Sequence, residues 1–261
     1  ELAWLGPHLV RLNRVLRSRP FEVVHLNDAP LLAAAFLTHR RAIPIVWHLR
    51  SAFPFDGNDG RSRLVRRVIR RLADVSIAIN DDVAASYVLG STAIPNSVEL
   101  DLFKPDGTEA AKGALGLDPK VPVVTFFGYL YPSKGFREFI SAAAELRDRG
   151  LHAQYLMVGG AVRGEDFFRT LVGRGVRFLD LARNYETEAR LLVAERGLDG
   201  TITFVPFTRD TASLYRASDI VVAPSRGPEL GRPVIEAAAS GVPVVTTGSV
   251  TGGGVVVPGQ T

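Results

Sequence analysis

The 261 residues are 46% hydrophobic and 22% charged, with 25 Gly and 16 Pro, which places the chain among globular proteins and excludes a disordered or fibrous one. With 0 Cys, disulfides, zinc ribbons and cysteine nucleophiles are excluded, and the lack fits a reducing cytoplasm. The net charge of +4 is uneven: residues 1–105 hold 14 Lys/Arg against 10 Asp/Glu, and the rest hold 17 against 17.

In chain order, apolar spacing predicts a helix over Leu9–Leu16, a strand over Val23–Leu26, a helix over Leu31–Leu37 and a strand over Ile45–His48. Arg61, Arg63, Arg66, Arg67, Arg70 and Arg71 then interleave with Leu64, Val65, Val68, Ile69 and Leu72, the pattern of a basic amphipathic helix. Such a helix is either a solvated outer face or a peripheral contact with anionic lipid or an acidic acceptor. Nucleic acid is not an expected partner, because no aromatic residues are interleaved to stack bases. A strand at Val75–Ile79, a short helix near Val83–Tyr87 and a Pro95-Asn96 turn follow. Asp56-Gly57-Asn58-Asp59-Gly60 hints at a calcium loop, but Arg67 stands where the chelating glutamate is required.

Lys104-Pro105-Asp106-Gly107 reads as a linker, dividing the chain into domains at 1–105 and 106–261. Beyond it come strands at Val123–Phe127, Tyr155–Val158, Ile202–Val205, Ile220–Ala223 and Val244–Thr246, separated by helices at Phe136–Arg149, Glu186–Glu195, Thr211–Ala217 and Val234–Ala239. Alternation of this kind builds parallel, doubly wound α/β sheets. No apolar run approaches the roughly 18 to 20 residues that span a bilayer, so no transmembrane helix is expected.

The most informative stretch is Pro224–Val245, PSRGPELGRPVIEAAASGVPVV, which sets Glu229 and Glu236 around a Gly-Arg-Pro turn at a helix start, just after a buried strand. Strand, polar loop and helix in that order make ligand sites at the carboxyl edge of α/β sheets. This segment resembles the donor-site signature of retaining glycosyltransferases of family 4. The similarity extends to Phe21-Glu22-Val23-Val24-His25, Trp47-His48, Ile94-Pro95-Asn96-Ser97-Val98, Phe127-Gly128-Tyr129-Leu130, Pro132-Ser133-Lys134-Gly135, Met157-Val158-Gly159-Gly160, and Leu214-Tyr215 with Ala217-Ser218-Asp219.

The resemblance implies the GT-B fold, two Rossmann-like domains facing a central cleft, and transfer of a sugar from a nucleotide-diphosphate-sugar donor with retained anomeric configuration. It also implies that an acceptor-side strand and loop, and a last crossover helix, are missing from the two ends. Lys134 is implied as a diphosphate ligand at a helix N-terminus, with Gly128 beside it. Tyr129 stands where the family has an arginine, which shifts phosphate contact onto Lys134, Arg232 and the backbone at Leu230 and Gly231. Glu236 is implied to accept from ribose hydroxyls, and His48 to face the donor sugar. The two glutamates are one residue closer than in the family pattern, so the sugar-contacting position is Glu229 or Pro228. His25 and Asn27 read as structural.

No Asp-x-Asp pair occurs, so a metal is not expected, and no cofactor beyond the donor. Gly159-Gly160 lacks the spacing of a dinucleotide fingerprint. The expected enzyme is a cytoplasmic hexosyltransferase, possible at the inner membrane face, acting in polysaccharide or glycoconjugate biosynthesis on an acceptor the sequence does not identify. The alternative is a catalytically silent relative serving as a binding or scaffold subunit.

Overall fold

The computed structural model of the protein describes residues 2–51, 60–87, 90–161, 165–178, 183–226 and 231–247. They form two compact units that part between Asn96 and Ser97. The predicted Asp56–Gly60 turn lies largely outside the described residues.

The first unit runs α1 (Leu2–Ser18), β1 (Val24–Asn27), α2 (Leu32–His39), β2 (Ile45–Leu49), α3 (Gly60–Leu72), β3 (Val75–Ala78), α4 (Asp81–Tyr87) and β4 (Thr92–Ala93). Its four strands are parallel and lie in chain order, β1-β2-β3-β4. Because every crossover steps the same way, right-handed connections place α2, α3 and α4 on one face of the sheet. The core agrees: alternate β2 residues Ile45, Trp47 and Leu49 are buried with Ala35 of α2, Ile69 of α3, and Val83 and Tyr87 of α4. The apolar seam of the basic helix is thus spent on the core. One correction applies, since Leu64 is 58% exposed and lies with the arginines rather than with the seam.

The second unit contains α5 (Thr108–Ala114), β5 (Val123–Phe127), a 3-10 turn at Pro132–Lys134, α6 (Phe136–Asp148), β6 (Gln154–Val158), α7 (Glu165–Arg169), α8 (Leu171–Phe178), α9 (Tyr185–Glu195), β7 (Ile202–Val205), α10 (Thr211–Ala217), β8 (Ile220–Ala223), α11 (Arg232–Ala239) and β9 (Val244–Thr246). Its parallel strands follow the order β7-β6-β5-β8-β9. The chain starts in the middle with β5, fills one side through β6 and β7, then crosses back to add β8 and β9.

Helices therefore cover both faces, and the strands are apolar on both. Val124 and Phe126 of β5, with Tyr155 and Met157 of β6, pack against Phe136, Phe139 and Ile140 of α6 and Val193 of α9. The alternating residues Val123, Phe127, Leu156 and Val158 face Leu214 and Tyr215 of α10 and Ala237 of α11. Phe103 joins this second cluster edge-on to Tyr215, so the segment after Asn96 belongs to this unit's core. Lys112 of α5 is 5% exposed and donates to Asp219 Oδ2 at 2.7 Å, an oxygen that also accepts from the Val123 N–H. That pair, buried on the lysine side and half-exposed at Asp219, ties α5 to the start of β5.

Candidate functional site

The switch in strand order between β5 and β8 determines where a ligand can enter. Loops leaving these two neighbouring strands diverge toward opposite faces, and a crevice opens at their carboxyl ends. A hollow of about 220 Å³ lies there. Gly128, Tyr129 and Lys134 line it after β5, Ser225 after β8, Gly231 and Arg232 at the start of α11, and Thr246 at the end of β9.

Two glycines allow these walls to approach. Gly135 has φ +79°, and a Cβ there would stand 2.1 Å from the Pro224 carbonyl oxygen. The Pro132–Lys134 turn can therefore press onto the chain leaving β8, where the Ser133 carbonyl accepts from the Arg226 N–H at 2.9 Å and from Ser225 Oγ at 3.3 Å. Arg226 also pairs with Glu138 of α6. Gly159 has φ +131°, and a Cβ there would meet the Gly128 carbonyl oxygen at 2.1 Å. The N–H of Gly128 donates to Val158, and that of Leu130 to Gly160, which locks the Gly128–Leu130 turn onto the end of β6.

The hollow is electropositive by construction. Lys134 is half-buried and, among the described residues, makes no ion pair. Arg232 opens α11, whose N-cap Gly231 is extended and supplies no side-chain cap. An uncapped helix start presents backbone N–H groups and the positive end of its dipole. Lysine, arginine and helix start converge on one space suited to an anion with several oxygens.

Five of the residues singled out from the sequence, Gly128, Tyr129, Lys134, Gly231 and Arg232, thus share one hollow. Glu236 does not line it. It is 8% exposed, and its Oε1 accepts from Arg232 Nε at 2.9 Å, while the Tyr215 hydroxyl hydrogen-bonds the same carboxylate. Burial first, then the Glu236 charge, pushes the Tyr215 phenol well above its ordinary value, so it remains a donor. Glu229, Leu230 and Pro228 lie outside the described residues. Ser225 and Thr246 were missed, because a hydroxyl after a strand carries no spacing signal of its own.

His48 belongs to the first unit, at the end of β2, with its ring stacked on His25 at 5.4 Å between centroids. Its Nε2 is buried and without a hydrogen-bond partner among the described residues. Burial, with the neighbouring Arg50 and His25 charges, lowers its pKa below the ordinary 6.5 despite the opposing Asp28. Asp28, which the sequence did not single out, holds the residues after His48: at φ 89° its carboxylate accepts from the Arg50 N–H at 3.2 Å and from Ser51 Oγ at 2.8 Å.

A histidine whose folded pKa is depressed leaves the unfolded chain binding more protons, so stability falls as pH drops below about 6.5. Denaturant unfolding at pH 7 and pH 5 is expected to show this loss, and His48→Asn to reduce it.

Comparison with known proteins follows the same lines. Residues 121–261 match the family described as Glycosyl transferases group 1. The chain is similar to the D-inositol 3-phosphate glycosyltransferase of Rhodococcus erythropolis, 32% identical over 183 residues, which cover 69% of this chain and 37% of that protein. It is also similar to the lipopolysaccharide core biosynthesis mannosyltransferase LpsB of Rhizobium meliloti, 30% identical over 260 residues, covering 95% of this chain and 68% of LpsB. Among solved structures, Anabaena HepE in complex with UDP and glucose matches at a TM-score of 0.78 and 22% identity, over 99% of this chain and 67% of that one. The chain therefore spans little more than a third of the first of these relatives, and the fold is that of GT-B proteins.

Proposed function

This chain belongs to the glycosyl transferases group 1 family, and from that membership we propose that it moves a sugar from a nucleoside-diphosphate donor to an acceptor. The observation that carries the proposal is the convergence of Lys134, Arg232 and the uncapped start of α11 on one hollow at the switch point of the second sheet. In such a transfer the bond from the anomeric carbon to the diphosphate breaks, and charge grows on the departing phosphate. Fixed positive groups aimed at that charge lower the barrier.

HepE's complex with UDP and glucose supports a donor of this class. Here Lys134 and Arg232 supply the positive charge, in place of the arginine that Tyr129 replaces, and the reaction calls for no metal. Retention follows if the leaving phosphate itself takes the acceptor's proton on the face it vacates, which leaves no protein base to assign. Glu229 and His48 would contact the transferred sugar, and the reaction would run in the cytoplasm.

Glu236 needs one rearrangement. Arg232 is 57% exposed at its side chain but Glu236 only 11%, so the guanidinium can leave only if other donors take its place on the buried carboxylate. The diphosphate draws Arg232 toward itself while the ribose hydroxyls donate to the Glu236 carboxylate in its place, so the buried charge is not left unpaired. Thermal shift against UDP, GDP, ADP and inorganic pyrophosphate tests this, since a ligand of the native state raises the melting temperature. At least one nucleotide is expected to stabilise the protein, and Glu236→Ala to weaken that nucleotide while sparing pyrophosphate. No shift with any of them would refute the proposal.

Tyr129 is 51% exposed in the hollow and uncharged, which together with the shortened spacing of the two glutamates favours a silent, donor-binding relative. Binding of a nucleotide sugar without hydrolysis or transfer would select that alternative.

A further inference from the structure

We propose that α1, α2 and α3 form a cationic face that adsorbs this protein to anionic phospholipid, by charge alone. The inference is independent of the donor site.

The three helices adjoin one another. Right-handed crossovers put α2 and α3 on the same side of the sheet, and α1 is tied to the end of α2 by Arg41 Nη2 donating to Asn13 Oδ1 at 2.7 Å. Within the helices α1, α2 and α3, from Leu2, Leu32 and Gly60 to their ends, there is no Asp or Glu at all. Arg11, Arg14 and Arg17 of α1 and Arg63, Arg67, Arg70 and Arg71 of α3 are all exposed. Among the described residues none of the seven makes an ion pair. Acidic residues lie outside the three helices, at Glu22 and Asp28 before α2, at Asp74 after α3, whose carboxylate accepts from the Ile45 N–H, and at Asp81 and Asp82 at the start of α4.

The second unit shows that this is not the chain's general habit. Many of its arginines are matched locally, Arg149 with Glu145, Arg190 with Glu186, Arg169 with Asp166 and Arg147 with Asp148, while the exposed Arg174, Arg196 and Arg209 stand unpaired among the described residues. Local pairing and an equal count of 17 Lys/Arg and 17 Asp/Glu over residues 106–261 balance that surface, whereas seven unpaired guanidinium groups on adjoining helices without an acid sum their fields over a broad area. A planar array of phosphate headgroups matches such an area. A nucleic acid is a poorer fit, because no base-stacking aromatics are set among these arginines.

The mode of attachment also follows. An amphipathic helix that inserts into lipid must offer its apolar stripe, but that of α3 is buried through Ile69 at 0% exposure, and the exposed apolar side chains Leu64 of α3, Val10 and Val15 of α1 and Phe36 of α2 are divided among three helices and form no single stripe. Adsorption is therefore electrostatic and reversible by salt.

Sedimentation with vesicles of phosphatidylcholine alone, or mixed with phosphatidylglycerol, tests the proposal with the full chain. Binding is expected only to the mixed vesicles, and to be lost in high salt. Changing Arg63, Arg67, Arg70 and Arg71 together to Gln is expected to lower partitioning by about 100-fold or more, at about fivefold per arginine.

Changing Arg147, Arg149, Arg169 and Arg190 to Gln removes the same charge from the second unit and is expected to leave partitioning within about twofold. Circular dichroism confirms folding of both variants, and Arg11, Arg14 and Arg17 to Gln stands in if the α3 variant does not fold. Equal loss in the two quadruple variants, binding to phosphatidylcholine alone, salt-resistant binding, or capture by duplex DNA without vesicle binding would each overturn the proposal.

Discussion

Lys134→Ala is expected to lower kcat/KM with the nucleotide sugar that binds by about 10²–10³-fold while leaving the fold intact. The magnitude is that of removing one preorganised group from a developing oxyanion. Its cleanness as a test comes from the surroundings. Lys134 makes no ion pair among the described residues, so truncation strands no partner, and a half-buried turn position should change stability by no more than about 0.5 kcal/mol.

Arg232→Ala is a less direct probe of the same hollow, because it also uncovers the buried Glu236 carboxylate. Calorimetry adds a second readout: Lys134→Ala should weaken a nucleoside diphosphate and spare the nucleoside, and Lys134→Arg should recover part of the loss. Unchanged turnover in Lys134→Ala would move the phosphate role onto Arg232 and the start of α11.

Much of this hollow was legible in the amino-acid order, for reasons tied to particular residues. The central strands β5 and β6 are buried on both faces, so Val123–Phe127 reads as an apolar run interrupted only by Thr125, and it and the apolar run Ile220–Ala223 were bounded to the residue. Gly135 and Pro132 punctuate the turn that carries Lys134, and Gly231-Arg232-Pro233 marks a helix start. Where signals fail, the cause is equally local. The strand β4 has two residues and no period to detect. The helix α5 is short and buries Lys112, a residue type that periodicity counts as outward. The helices α7 and α8 divide a span whose apolar residues follow no single repeat.

Glu236 shows the limit of motif transfer. Its position in the signature implies a ligand contact, yet only coordinates show that Arg232 and Tyr215 already occupy its carboxylate. The same holds for Asp28, a lone acid in the sequence whose bonds to Arg50 and Ser51 appear only when β1 and β2 pair.

Gly135→Ala is expected to be among the most damaging single-methyl changes in the second unit, costing about 3–5 kcal/mol. Two effects combine at this buried position. An alanine at φ +79° bears the left-handed penalty of about 1–2 kcal/mol. Its Cβ would also stand 2.1 Å from the Pro224 carbonyl oxygen and 2.7 Å from the proline ring, and neither belongs to a flexible side chain that can step aside. Relief requires the Pro132–Lys134 turn to lift from the chain after β8, breaking the bonds of the Ser133 carbonyl to Arg226 and Ser225 and carrying Lys134 out of the hollow.

Gly116→Ala separates the two effects, because Gly116 has φ +67° with nothing within 4 Å of its Cβ. Urea unfolding should show only the left-handed penalty there and the larger loss at Gly135. Nucleotide binding should survive Gly116→Ala and fall in whatever fraction of Gly135→Ala remains folded. Equal stability losses at the two glycines, with binding retained in both, would mean that the turn can yield without opening the site.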